Sequence, residues 1–129
     1  MIDIDYIMGL LDWNKSIADQ AEGIKMAENI ENINVFLQPC SKNYNKNVWD
    51  NCAKILSARS NEELSPYMIE LMEWLQDMNW PGAFCIFERL KGMVNEQLFQ
   101  HSYTICLKCA QALEDEVWEN ILRMLKAGN

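Results

Sequence analysis

The sequence predicts an all-α fold of stacked antiparallel helical hairpins, and three observations carry that expectation. Apolar residues recur at helical spacing through most of the 129 residues. Half of the chain is hydrophobic, with only five glycines and three prolines to interrupt helices. The stretch Leu64–Leu90 reads as two amphipathic helices joined by a very short turn, the unit from which helical repeats and bundles are built.

That hairpin is the best-defined part of the chain. Leu64, Met68, Leu71 and Leu75 fall at i, i+4, i+7 and i+11, one face of a helix. Ser65-Pro66 supplies a start, because Ser can cap free N–H groups and Pro needs none at the first helical position. Asp77-Met78-Asn79-Trp80-Pro81 interrupts, since the residue before Pro is biased away from the α region. Asn79 or Trp80 is then the expected cap, with Pro81 opening the second helix. Its apolar side is expected to be Ala83, Phe84, Phe87 and Leu90, with Ile86 beside them.

The remaining elements follow in order. Residues 3–11 form a short helix capped by Asp3, with Ile4, Ile7, Leu10 and Leu11 on one side, broken at Asp12-Trp13-Asn14. A second helix carries Ile17, Ala21 and Ile24 inward. Residues 28–37 read as another short helix, although the β-branched residues there also suit an extended segment. Residues 38–47, QPCSKNYNKN, are polar, Asn-rich and punctuated by Pro39, and are locally basic through Lys42 and Lys46. This loop is a candidate join between an N-terminal hairpin and C-terminal repeats, yet too short for a flexible tether. Residues 1–129 are therefore read as one domain.

Val48–Ala58 is the next helix, with Trp49, Cys52, Ile55 and Leu56 toward the core. Ser60 and Glu63 have the spacing of a capping box. A helix ending near Gly92 precedes a long one over 96–113, with Leu98, Ser102, Ile105, Cys109 and Ala112 expected inside. The last helix, 116–126, buries Trp118, Ile121, Leu122 and Leu125, with Gly128 just beyond it.

Tryptophans supply a weak internal period. Trp13, Trp49, Trp80 and Trp118 lie 36, 31 and 38 residues apart. The last three each begin apolar positions at +3, +4 and +7, and Trp13 a degraded version. That spacing is close to two-helix solenoid repeats, so the expectation is a HEAT/armadillo-like short solenoid of about seven to eight helices.

A resemblance adds to this. Trp74, Leu75, Gln76, Asp77, Met78, Asn79, Trp80 and Pro81, followed by the small Gly82, with the later run Asp115–Leu122, resemble a family of small bacterial proteins catalogued as a domain of unknown function. The resemblance covers roughly Leu64–Leu125 and is weak over the first 45 residues. It implies a compact, HEAT-like helical domain and brings no established activity, so no catalytic residue is carried over. The small, acidic, single-domain character also resembles, in style, immunity proteins that neutralise toxins.

Charge and cysteines bound the function classes. With 19 acidic against 11 basic residues the formal charge is −8, a surface that disfavours phosphate backbones and favours a basic protein partner. Five cysteines sit mostly inside apolar helical patterns, as reduced thiols do in a cytoplasmic protein. The N-terminal run lacks a basic region, so no signal peptide is read there, and nothing approaches the ~20 apolar residues of a membrane span. No cofactor is expected.

Little here points to chemistry. Cys106 and Cys109 form the only C-x-x-C, and zinc needs about four ligands, for which no second pair follows. His101 is the only histidine, with no nucleophile placed beside it by a motif. No Gly-rich phosphate loop, nucleophile elbow or H-E-x-x-H occurs. The chain is therefore expected not to be an enzyme.

The carboxylates are more informative. Glu63, Glu70, Glu73 and Asp77 recur at spacings of 7, 3 and 4, which would place them along one helix face. Asp12, Asp19 and Glu22 do the same around the second helix. Glu114, Asp115, Glu116 and Glu119 crowd the start of the last helix, where the dipole accounts for them. The two aligned faces are the expected partner-binding residues. They suit an immunity protein blocking a basic toxin, a nuclease domain above all. The alternative is a helical-repeat adaptor that binds a peptide or housekeeping protein, in which the tryptophans matter more than the acids.

Overall fold

The computed structural model describes residues 3–41 and 44–127, and the side chains of all of these but 40 and 41. Lys42, the Cys40 side chain and Gly128, named above, lie outside the described residues. The chain is all-helical, with seven helices of more than one turn packed together and no strand among the described residues. None of these helices is long and apolar enough to cross a membrane.

Helix α1 (Ile4–Leu10) starts where expected: the Asp3 carboxylate accepts the N–H groups of Asp5 and Tyr6 at 3.0 and 3.2 Å. Asp12 ends the segment by folding back on the Asn14 N–H at 2.8 Å. Helix α2 (Ile17–Ala27) is capped by Ser16, but its inward face is not the expected one. Gly23 and Ala27 are buried and Ile24 partly so, whereas Ala21 is exposed and Ile17 is 88 % exposed. The cause is close approach of α1. A Cβ on Gly23 would come within 2.9 Å of both Leu10 and Leu11 side chains, so the small residues mark the contact side.

Residues 28–37 do not form a helix as expected, but turns and one 3-10 turn, Ile33–Phe36, that buries Ile33 and Phe36. Asn and β-branched residues, which compete locally with helical bonding, dominate this run. The segment read as the loop 38–47 is also corrected. It holds the single turn α3 (Gln38–Ser41) and a 3-10 turn, Lys46–Val48. Gln38 is fully buried and donates its amide to the Val35 carbonyl at 2.6 Å. Its start is thus packed into the core.

Helix α4 (Trp49–Ser57) follows, burying Trp49, Cys52, Ile55 and Leu56 as anticipated. Asn51 is buried with them, and its amide donates to the Leu11 carbonyl at 2.7 Å and to Gln20 at 2.9 Å. This one side chain ties the end of α1 and the start of α2 to α4. The Ser60–Glu63 capping box is present and opens α5 (Asn61–Leu64). A 3-10 turn at Ser65–Tyr67 then leads into α6 (Met68–Glu73), and a second at Trp74–Gln76 leaves it. Leu64, Met68, Leu71 and Leu75 are all buried, so the apolar periodicity survives three changes of helix type.

The turn before α7 (Ala83–Lys91) differs from the expectation that Asn79 or Trp80 caps and Pro81 opens the helix. Gly82 occupies the N-cap position with φ +86°, and Pro81 stays in the turn. Asp77 accepts the Asn79 N–H at 2.9 Å, and buried Trp74 donates its indole N–H to the Pro81 carbonyl at 3.1 Å. The W-L-Q-D-M-N-W-P-G run is therefore one folded unit. Within α7 the buried face is Ala83, Ile86 and Leu90. Phe84, expected inside, is 69 % exposed.

Helix α8 (Gln97–Ala112) is likewise rotated from its expected face. Phe99, Ser102, Tyr103, Cys106 and Ala110 are buried, while Leu98, Cys109 and Ala112 are exposed and Ile105 lies between. The helix is apolar on more than one side, so periodicity alone did not select the stripe that meets α6 and α9. Helix α9 (Glu116–Ala127) buries Trp118, Leu122 and Leu125 as expected, whereas Ile121 is only half-buried. Trp118 donates its indole N–H to the Met72 carbonyl at 3.1 Å.

Helices α1 and α2 pack together, α4 packs on α7, and α8 packs on both α6 and α9. Two arginines lock helix ends across this frame. Arg89 on α7 donates to the carbonyls of Ser57 and Arg59 at 3.1 and 2.9 Å. Arg59 in turn donates to those of Ala27 and Ile30 at 2.9 and 2.7 Å. Carbonyls left over at the ends of α2 and α4 thus find charged donors.

Candidate binding groove

The acidic residues do not form the two faces that their spacing implied. Glu63 belongs to α5, Glu70 and Glu73 to α6, and Asp77 lies past the 3-10 turn, so no continuous helix aligns them. Glu63 has internal work: it completes the capping box and pairs with Arg59 at 2.9 Å. That guanidinium holds its carboxyl below the usual value of 4.5. Asp77 and Asp12 each accept a backbone N–H two residues on and stabilise turns. Glu70 is half-buried, with one carboxylate oxygen shut away from solvent and no hydrogen-bond partner on it among the described residues. Glu73 is half-buried on the same helix. Asp19 and Glu22 are exposed on α2, with Asp12 in the turn ahead of that helix rather than on it. At the start of α9, Asp115 caps the helix through the Trp118 N–H at 3.0 Å, consistent with the dipole account.

The cysteines and histidine stand apart. Cys106 is buried, and burial first, then the nearby Glu73 charge, pushes its thiol up to about 12. Cys109, three residues on, is exposed, the reverse of the expected order. His101 is exposed on α8. Among the described residues no group of three or more His, Cys, Asp and Glu is placed to hold a metal ion.

Chemistry of recognition gathers elsewhere. Tyr44, Asn45, Lys46 and Asn47, from the segment read as loop, line an open groove of about 610 Å³ with Trp49 from α4 and Trp80 from the motif turn. Ligand sites commonly fall in the range of roughly 300–1,000 Å³. The turn brings Trp80 edge-on to Trp49, with ring centroids 5.7 Å apart at 85°. Trp74 packs against Trp49 at 6.3 Å and 76°. Trp74 is fully buried, Trp49 is 6 % exposed, and Trp80 is half-buried at the groove. Lys46 holds its ammonium 5.8 Å from the Trp49 ring centre, within cation–π range.

The polar groups of this groove are unevenly used. The Tyr44 hydroxyl donates to Asp5 on α1, and that bond, with burial second, raises its pKa to about 12. Asn45 accepts the Asn47 N–H through its side-chain oxygen at 2.8 Å, and the Asn47 carbonyl accepts the Trp13 N–H at 3.1 Å. The buried indole N–H of Trp49 has no hydrogen-bond partner among the described residues. Sequence reasoning missed this site because Trp49 and Trp80 read as helix starters and residues 44–47 as connection. One usable signal was present: from Asn32 to Trp49 the chain has no acidic residue, in a protein with 19.

A second depression, about 370 Å³, is lined by Ile24, Glu28, Ile55, Ala58, Arg59 and Glu63. Its Arg59 and Glu63 are committed to helix ends and to each other, which leaves Glu28 as its other charged side chain.

Neither a curated protein nor a solved structure matches the chain significantly. A family model described as a domain of unknown function, DUF5071, matches residues 44–127, about two thirds of the chain. The match starts farther toward the N-terminus than the resemblance over Leu64–Leu125 implied. It includes all six groove residues and leaves out α1 and α2. The chain belongs to the DUF5071 family of domains of unknown function.

Proposed function

We propose that the chain is a non-catalytic protein-binding module, an adaptor that takes a segment of its partner in the groove formed by Tyr44, Lys46, Trp49 and Trp80. The observation that carries this reading is the convergence of three aromatic side chains and a lysine on one open groove. Aromatic residues dominate binding energy at interfaces because they bury large rigid surfaces at low entropic cost. HEAT-like stacking is part of the same reading, supported by the packing of α1 on α2 and of α8 on α9. So is a cytoplasmic setting, in keeping with free thiols at Cys52, Cys85, Cys106 and Cys109.

The second reading is an immunity protein that neutralises a basic toxin domain, most simply a nuclease. The charge of −8 and the exposed Asp19 and Glu22 favour it, because opposite charge steers such encounters. Both readings exclude nucleic acid and membrane as the primary partner. The test is co-expression of the full chain with the product of the neighbouring reading frame, followed by size-exclusion chromatography at low and high salt. A salt-resistant complex supports the adaptor, and a salt-sensitive complex with a basic domain supports the immunity protein. Elution of both products apart at low salt would sink the pairing in either form.

A further inference from the structure

The groove has a hydrogen-bonding polarity as well as a shape, and that polarity selects an occupant. Two of its acceptors are spent inside the fold: Asn45 Oδ1 on the Asn47 N–H, and the Asn47 carbonyl on the Trp13 N–H. Two of its side-chain donors are unspent among the described residues. The indole N–H of Trp49 lacks a partner although Trp49 is 6 % exposed, and Lys46 offers an exposed ammonium with no carboxylate paired to it among the described residues. The proton of the Tyr44 hydroxyl is already given to Asp5.

A groove of this kind favours a chain that brings acceptors and flat apolar faces and few N–H groups of its own. An ordinary extended peptide carries one N–H per residue and would leave many of them facing aromatic rings. Proline carries none, keeps its carbonyls free in the polyproline II conformation, and presents a ring that packs on Trp and Tyr. Lys46 adds a charge preference, since its ammonium has no paired carboxylate among the described residues and the Asp5 carboxylate is taken up by Tyr44.

Building on the adaptor reading, we propose that the Tyr44–Trp49–Trp80 groove binds a proline-rich segment of a partner protein, with an acidic residue placed against Lys46. Trp80 is the stacking platform. Trp49 backs that platform through its edge-on contact with Trp80.

The test uses the full chain and a synthetic capped oligoproline peptide flanked by aspartates, about ten residues long so that its polyproline II helix outspans the groove. Binding is read from tryptophan fluorescence and from the indole N–H signals in a ¹H–¹⁵N spectrum. Saturable binding that moves the Trp49 and Trp80 signals is expected. Trp80→Ala weakens it roughly tenfold or more, as for a central aromatic anchor. Lys46→Glu weakens it most at low salt, and Lys46→Arg restores it. Far-ultraviolet circular dichroism confirms that each variant is folded, and Tyr44→Phe provides a second groove variant should Trp80→Ala unfold the chain.

Equal binding of a glycine–serine peptide with the same aspartates overturns the proposal, as does saturation by acetate or inorganic phosphate alone, which would make this a simple anion site. Failure of the peptide to bind at millimolar concentration also overturns it. A partner protein that binds Trp80→Ala as well as it binds the original chain would defeat this proposal while leaving the chain a binding module.

Discussion

Gly82→Ala is the sharpest stability prediction. Gly82 sits at φ +86°, where a side chain is strained, and a Cβ there would lie 2.7 Å from Ala53 Cβ, 2.9 Å from the Trp49 carbonyl oxygen and 3.0 Å from the Trp74 ring. Forcing an L-residue into the left-handed region costs about 1–2 kcal/mol. Overpacking a tight site adds about 1–3 kcal/mol, and two of these three neighbours are a backbone atom and a fully buried ring. The sum is about 2–5 kcal/mol, a large fraction of a typical domain stability of about 5–15 kcal/mol. Urea unfolding followed by tryptophan fluorescence measures it. At an m-value of about 1–3 kcal/mol/M the midpoint falls by at least ~0.7 M. Gly92→Ala is the control, because Gly92 has φ −77° and no neighbour nearer than 3.5 Å to an added Cβ. It should change stability by less than about 1 kcal/mol. A Gly82→Ala loss no larger than that of the control would refute the account of the motif turn.

Other predictions test the frame and the titrating groups. Arg89→Ala removes two charged donors from the carbonyls of Ser57 and Arg59 and should cost about 1.5–3 kcal/mol in the same urea assay. Arg89→Lys should recover only part of this, since an ammonium cannot reproduce the fork. On α8, Phe99→Ala should cost about 3–5 kcal/mol and Leu98→Ala much less, and the reverse order would mean that the helix is rotated. Glu63 and Glu119 both sit below their ordinary value of 4.5 because Arg59 and Arg123 donate to them. Their contribution is complete above pH 4.5 and is lost as pH falls through the lower folded value. Unfolding of Glu63→Gln/Glu119→Gln should therefore depend less on pH below that point than unfolding of the original chain. Iodoacetamide at pH 8 should label exposed Cys109 in the folded protein, with buried Cys52 and Cys106 modified only on unfolding. Mapping the adducts by mass spectrometry checks this.

The sequence showed where helices lie better than how they turn. Apolar periodicity located α1, α4, α6 and α9 and most of their buried residues, though it passed over Met8 and Met72. It misjudged α7 and α8, which carry Phe84 and Leu98 beside the true core positions Ile86 and Phe99. Two apolar stripes on one helix are equivalent locally, and only packing against α4, α6 and α9 distinguishes them. On α2 the error ran the other way. Close contact with α1 selects Gly23, the residue that a search for hydrophobic side chains passes over.

The site was harder still. Carboxylate spacing suggested a helix face, but the 3-10 turns at Ser65–Tyr67 and Trp74–Gln76 interrupt it, and two of its four acids, Glu63 and Asp77, stabilise a cap and a turn. The groove joins residues 44–49 to Trp80 across about thirty positions of sequence, through a turn whose geometry depends on Gly82 and the buried Trp74. The residues that line it were visible, but their meeting was not.

The most direct test of the central claim, that recognition lies in the aromatic groove, is the dissociation constant for the identified protein partner. Calorimetric titration of the original chain, Trp80→Ala and Asp19→Lys/Glu22→Lys provides it. The account predicts at least roughly tenfold weakening by Trp80→Ala, the loss expected of an interface anchor, with little change from reversing the α2 acids. Unchanged affinity in Trp80→Ala with a collapse in Asp19→Lys/Glu22→Lys would contradict it and give the binding surface to the acids.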